Sequence, residues 1–308
     1  MWFRNLMIYS FAEEVTLDAD TLQAQLEKAS FSPCASQEMS SYGWTAPMGK
    51  LNDALQHSAS GFTLLCAKKE ERILPASVVR DFVMERVTAI EEGQMRKVRK
   101  KERDEIKENV LMELTPKAFT RSSLSYGILA PEQGYLLLDA ASARKADEFT
   151  VLLRKTLGSL PIKPLQVASA PAALFTAWLD GKADLPPGLD IGHECELIAA
   201  DDEDGGVVRC SKQQLLDSEE IRTHLKAGKH VVKLGLSWED SLRFVLDNEL
   251  NLKKLRFSDE LQEKAADDGS ADAAAEFDAQ FTLASLEFAR FVPALIALFG
   301  GLQEPEDK

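Results

Sequence analysis

Apolar residues crowd the stretch 3–11, several of them aromatic, in a run too short for a stable helix and suited to a buried strand. Beyond 16–20, Leu22, Leu26 and Ala29 recur at i, i+4 and i+7, which predicts an amphipathic helix ending near Ser30. Pro33, Gly43, Pro47 and Gly49 punctuate the next stretch, where Tyr42 and Trp44 are expected beside short strands. A further strand is predicted over 61–67, closed by the charged residues 68–72.

From Pro75 the period changes. Val79, Val83, Val87 and Ile90 form one narrow apolar line at helical spacing, and Ile106, Val110, Leu111 and Leu114 form a second. The economical arrangement is a helical hairpin over 75–116, inserted into a sheet and ended by Pro116. The runs 124–129 and 135–138, separated by Pro131-Glu132-Gln133-Gly134, predict a β-hairpin. A helix follows over 141–157, with Phe149, Leu152, Leu153 and Leu157 on one side and Gly158 as its stop, and 160–165 closes a first αβ unit.

The remainder repeats this alternation. It predicts a helix over 172–179, a break at Pro186-Pro187-Gly188, and strands over 194–199 and 207–210 around an acidic turn. Next come a helix over 219–227 between Ser218 and Gly228, and strands over 230–236, 241–246 and 252–257. An acidic, alanine-rich stretch over 259–280 leads to an apolar helix over 281–299, interrupted at Pro293. The fold class expected is α+β: two αβ sheet domains with a projecting helical hairpin. The divisions are a discontinuous central domain (1–74 and 117–165), a tip domain (75–116) and a base domain with a C-terminal helix (166–308).

Charge changes the picture at one place. The 308 residues hold 36 Lys and Arg against 50 Asp and Glu, a net charge of -14, and the 45% apolar content excludes a wholly disordered chain. Yet Arg96, Lys97, Arg99, Lys100, Lys101, Arg103 and Lys107 lie together between the two apolar lines of the hairpin. At helical pitch Arg96, Lys100, Arg103 and Lys107 share one face, with Lys97 and Lys101 beside it. Such a stripe matches a phosphate backbone. Because an acidic total repels nucleic acid at long range, binding requires positive charge gathered on one surface. The competing reading is a solvated helix face, balanced in part by Glu102, Asp104, Glu105 and Glu108.

Other chemistry is sparse. The four cysteines form no C-x-x-C pair and the four histidines no metal-ligand spacing, so neither zinc nor a disulfide framework is indicated. Asp201, Asp202, Glu203 and Asp204 leave open a divalent-metal site and with it a metal-dependent nuclease. There is no phosphate-binding glycine loop, dinucleotide fingerprint or G-x-S-x-G elbow, so no cofactor and no catalytic residue is expected. The first nine residues lack the features of a secretory leader and no long apolar run suits a bilayer, which predicts a cytoplasmic protein without membrane contact. Lys117, Arg121, Lys212, Lys229 and Lys233 are further cationic candidates, with Gln213 a neutral phosphate contact.

Several blocks resemble, in order, the bacterial RdgC family of recombination-associated proteins. They are Met1-Trp2-Phe3-Arg4-Asn5-Leu6-Met7-Ile8-Tyr9, Ala141-Ser142-Ala143-Arg144-Lys145-Ala146 and 152–161, followed by Asp204-Gly205-Gly206-Val207-Val208-Arg209 and 252–261. The resemblance implies a homodimer closed into a ring, a basic hole through which duplex DNA passes, binding with little sequence preference, antagonism of RecA and a nucleoid location. Whether single-stranded DNA is also bound stays open. Carried over by position, Lys212 and Gln213 match the Lys-Gln pair thought to face DNA. Lys117 and Phe119 match the basic residue and phenylalanine of a subunit contact. Lys at 117 keeps the charge of an arginine but loses its fork, and Ser211 stands where a basic residue occurs in relatives. The alternative for Phe119 is burial within its own subunit. An acidic module that binds a recombination protein directly is the competing function.

Overall fold

The computed structural model describes residues 2–199, 206–211, 216, 218–266 and 272–303. The first half contains Met7–Phe11 (β1), Ala19–Glu27 (α1), Ser40–Thr45 (β2), Gln56–Ala59 (β3), Phe62–Ile73 (β4), Ala76–Gln94 (α2), Lys100–Leu114 (α3), Phe119–Ala130 (β5), Tyr135–Leu138 (β6), Ala143–Leu157 (α4) and Ile162–Pro164 (β7). The second contains Pro171–Leu179 (α5), Leu189–Ala199 (β8), Val208–Cys210 (β9), Glu219–Lys226 (α6), Lys229–Trp238 (β10), Leu242–Asp247 (β11), Leu252–Phe257 (β12), Asp259–Ala266 (α7) and Ala273–Leu298 (α8).

Among the described residues these elements make a mixed α and β protein with two antiparallel sheets. One runs β2-β4-β5-β6-β1-β7, with β3 also paired to β4, and the other β12-β11-β10-β8-β9. The first sheet is covered on both faces, which is why its strands read as unbroken apolar runs rather than alternations. Successive residues serve different cores. Leu65, Leu129 and Leu136 join Leu22, Leu26, Phe149 and Leu153 of α1 and α4, whereas Leu64, Ile128 and Leu137 face the other way, into a core shared with α8 and the second sheet. The opening segment ties the sheets together. Leu6 and Leu252 exchange backbone hydrogen bonds at 2.9 Å in both directions, and Phe3 packs on Phe288 at 5.6 Å between ring centroids.

Four elements depart from the sequence expectations, each for a tertiary reason. β4 continues through the charged residues 68–72 instead of ending before them, and β5 begins at Phe119. Pairing with β2 and β5 satisfies the β4 backbone on both sides, and Lys69 finds carboxylates on Glu71 and Glu148, each at 2.9 Å. β8 starts at Leu189, just after the Pro186-Pro187-Gly188 break, because its early residues pair with the end of β10. α8 begins at Ala273 and runs unbroken through Pro293. A helical proline costs about 3 kcal/mol, which is outweighed by burial of Phe281, Phe288 and Phe291 at about 1.5–3 kcal/mol each.

The same helix corrects the expectation of no bilayer-length apolar segment. Its mean hydropathy reaches 1.6 over a window long enough to cross a membrane, but half of that window is buried inside the protein. Sequence reading missed the run because Glu287 and Arg290 interrupt it, and these two form an ion pair at 3.0 Å. α8 therefore packs as a core helix.

Gly127 shows how closely α4 lies on the first sheet. A Cβ there would come within 2.6 Å of the Phe149 ring and 2.8 Å of Leu138. Gly127→Ala is expected to lower stability by about 1–3 kcal/mol through overpacking, read as a lower urea midpoint with unchanged slope; an unaltered midpoint would contradict this packing.

Candidate nucleic-acid interface

The basic cluster owes its position to a long β-ribbon. β4 and β5 pair without a break from Thr63–Leu129 to Ile73–Phe119, and α2 and α3 are inserted at the outer end. Val79 and Val83 of α2 meet Ile106 and Val110 of α3 in a small core of their own, flanked by Val87, Ile90, Leu111 and Leu114. The two apolar lines predicted for the hairpin are thus the ones it buries. Arg72 fastens the base: its guanidinium donates to the carbonyls of Glu38 at 2.9 Å, Ala35 at 3.2 Å, and Pro116 and Ala118 at 3.4 Å.

At the outer end α2 stops at Met95, whose backbone is left-handed (φ 47°), and α3 does not begin until Lys100, with Arg99 at its N-cap. Arg96, Lys97 and Arg99 are consequently in the turn. The expectation that Arg96 shares a helix face with Lys100, Arg103 and Lys107 is corrected: the chain must reverse between the helices, and spacing alone does not mark where. Lys100, Arg103 and Lys107 do follow one another along α3.

The turn is tied by carboxylates. Glu91 accepts from the Val98 backbone N–H at 3.0 Å and from Lys97 Nζ at 2.9 Å, and Glu102 accepts from both ends of the Arg96 guanidinium at 2.7 and 2.5 Å. The Val98 N–H, then Lys97, holds the Glu91 carboxyl below its ordinary range, and Arg96 does the same for Glu102. Arg99, Lys100, Lys101, Arg103 and Lys107 are exposed and have no ion-pair partner among the described residues. Of Glu102, Asp104, Glu105 and Glu108, Glu102 forms the one ion pair seen among the described residues, with Arg96, and its carboxylate also feels the charge of Arg99.

The other candidates are spread out. Lys117, Phe119 and Arg121 are at the base of the hairpin, separated from the turn by the 15 residues of α3, about 22 Å. Lys117 pairs with Glu113 at 3.1 Å, while Arg121 is exposed opposite Glu71. Phe119 is 85% exposed beside half-exposed Ile73, which excludes its burial within this chain. Lys229 begins β10 in the second sheet and donates to the carbonyl of Gly206, and Lys233 pairs with Glu196 at 3.0 Å. Lys212, Gln213 and the acidic run 201–204 lie outside the described residues. Sequence reading missed Met95, 94% exposed beside Arg96, and the exposed Arg243 and Arg256 of the second sheet. Alternation within β11 and β12 was the available signal for the two arginines.

A family model described as "Putative exonuclease, RdgC" matches residues 1–302. Among curated proteins, the chain is 50% identical over 307 residues to the "Recombination-associated protein RdgC" of Pseudomonas aeruginosa strain PAO1, covering 99% of both chains. It is 46% identical over 307 residues to the protein of that name from Pseudomonas fluorescens strain Pf0-1, again covering 99% of both. A third, from Aeromonas hydrophila subsp. hydrophila, is 43% identical over 304 residues with the same coverage.

Because the Glu91 and Glu102 carboxyls titrate lower in the folded protein than in an unfolded chain, their links are complete above the ordinary carboxylate pKa and are lost as pH falls through the folded values. Hydrogen exchange should accordingly report that protection over 95–103, relative to α4 and corrected for intrinsic rates, is full above the ordinary carboxylate range and falls as pH drops below it. Unchanged relative protection would show that these carboxylates do not hold the turn.

Proposed function

This chain belongs to the RdgC family, and from that premise we propose that it binds duplex DNA without regard to sequence, as a homodimer closed into a ring around the duplex. Bound in this way it restrains RecA-promoted recombination by occluding the DNA it encloses, and it is nucleoid-associated. The observation that carries this reading is the hairpin turn: five exposed cations without ion-pair partners among the described residues, in a chain of net charge -14.

The electrostatics favour it on magnitude. Between 96 and 103 the sequence has six cations and a single carboxylate, Glu102. The turn stands about 22 Å out along α3, more than twice the roughly 8 Å over which charges are felt at physiological ionic strength. The acidic body is therefore screened from a phosphate backbone lying at the turn. Lysines and arginines that contact phosphates release condensed counterions, which gives affinity without base recognition. Exposed Phe119 and Ile73 at the hairpin base offer an apolar contact to a second copy.

The family description also names exonuclease activity. Among the described residues no group of three or more His, Cys, Asp or Glu is gathered as a metal site. The acidic run 201–204, on which a nuclease would rest, lies outside the described residues, and the exposed cations of the hairpin are what favour a binding protein.

Replacing Arg99, Lys100, Lys101 and Arg103 together with glutamine should weaken binding to unrelated duplexes equally and reduce the slope of log affinity against log salt by about 3–4. An unchanged slope in fluorescence anisotropy would remove the turn from the interface. Phe119→Ala should leave stability within about 0.5 kcal/mol of the parent yet shift sedimentation toward smaller species and hasten loss from DNA; sedimentation and retention both equal to the parent would count against its role between subunits.

A further inference from the structure

The exposed face of the second sheet deals with its charges in two ways. Along one row, Arg209 of β9, Glu196 of β8 and Lys233 of β10 are direct cross-strand neighbours. The Glu196 carboxylate takes Arg209 at 2.8 Å and Lys233 at 3.0 Å, so this row neutralises itself. Along another row the neighbours are Ser237 of β10, Arg243 of β11 and Arg256 of β12. Both arginines are exposed, and among the described residues neither has a carboxylate oxygen within 4.0 Å. Like charges directly opposite on antiparallel strands repel, and a sheet that pairs its charges four residues away along β10 leaves this repulsion in place.

The local backbone adds to the case. The ladder between β11 and β12 slips just after the Arg243–Arg256 pair, and Lys254 occupies the slip with a left-handed backbone (φ 53°), uncommon for a residue with a side chain. Its ammonium reaches across to Glu194 and so engages one of the two carboxylates lining the cleft formed here. Gly192 and Gly235 form the floor, where β8 and β10 approach closely: a Cβ on Gly235 would meet the Glu194 backbone at 3.2 Å, and one on Gly192 the Gly235 backbone at 3.3 Å. The result is a cleft of about 540 Å³, open to solvent, lined by Ser237, Arg243, Lys254 and Arg256 together with Glu194, Asp240 and His193.

We propose that this cleft is a phosphate-binding subsite, in which the guanidinium groups of Arg243 and Arg256 share one phosphate and the Ser237 hydroxyl is a neutral donor beside them. Two planar forks on cross-strand neighbours that line one cleft suit the tetrahedral oxygens of a phosphate, and a bound anion would turn the cross-strand repulsion into two charge-assisted contacts. The ligand's source rests on the DNA-binding reading: there the phosphate is a phosphodiester of the nucleic-acid backbone, held by the second sheet as well as by the hairpin turn.

The test compares full-length parent, Arg243→Gln/Arg256→Gln, and a control with the same charge change on α4, Arg154→Gln/Lys155→Gln, in two assays. In duplex binding across salt, the cleft variant should lose about 1–2 from the log–log slope while the control keeps the parental slope. In thermal unfolding, inorganic pyrophosphate should raise the parent's midpoint above a sodium chloride match of equal ionic strength, and the cleft variant should lose that rise. A parent that binds no DNA yet shows a pyrophosphate rise that the cleft variant loses would sink the DNA reading and leave the phosphate subsite standing. A cleft variant that matches the control in both assays would overturn the subsite while leaving DNA binding at the turn intact.

Discussion

The ladder between β4 and β5 is the constraint on which the rest of the structure depends. Its inner half is buried on both faces, with Leu64, Leu65, Ile128 and Leu129 wholly excluded from solvent, and its outer half runs clear of the cores with its side chains largely exposed. A ribbon anchored in this way transmits the rigidity of the packed sheet to the helices mounted on its end. Arg72, on the same ribbon, satisfies four carbonyls where the chain enters and leaves the hairpin. The hairpin needs only a small core of its own because its base is already fixed.

That geometry resolves an electrostatic conflict. A polyanion is met best where local cations outnumber free carboxylates, and between 96 and 103 six cations face the single carboxylate Glu102, while Glu92, Asp104, Glu105 and Glu108 are exposed on the flanking helices. Glu91 and Glu102 are engaged in shaping the turn, and the bulk of the acidic surface lies beyond the reach of screened Coulomb forces. The second sheet repeats the logic on a smaller scale, with Glu194 and Glu196 committed to lysines and to Arg209 while Arg243 and Arg256 are left without partners among the described residues. In both places the uncompensated cations are exposed and adjoin surfaces open enough for a phosphate.

Much of this was legible in the sequence where burial has a single direction. Val79, Val83, Val87 and Ile90, answered by Ile106, Val110, Leu111 and Leu114, gave the hairpin its two helices because each helix buries one face against the other. Leu136-Leu137-Leu138 read as a strand because a sheet covered on both sides makes successive residues apolar. What escaped depends on partners distant in sequence. Residues 68–72 are too charged to predict a strand until β2 and β5 satisfy their backbone, and Pro293 looks like a break until the aromatic packing of α8 outweighs it. Spacing placed Arg96 on a helix because nothing local marks Met95 as left-handed. The Arg243–Arg256 pair exists only through the register of β11 against β12.

The central claim is that a sequence-indifferent basic surface is closed around the duplex. Its most direct test is the rate of loss of the full-length protein from a covalently closed circle and from the same DNA linearised, followed across a salt series. Loss should quicken with salt on both and stay much slower on the circle, since a ring slides off free ends but must open to leave a closed molecule. Equal rates from circle and linear DNA would contradict enclosure, and failure to bind either at low salt would contradict DNA binding itself.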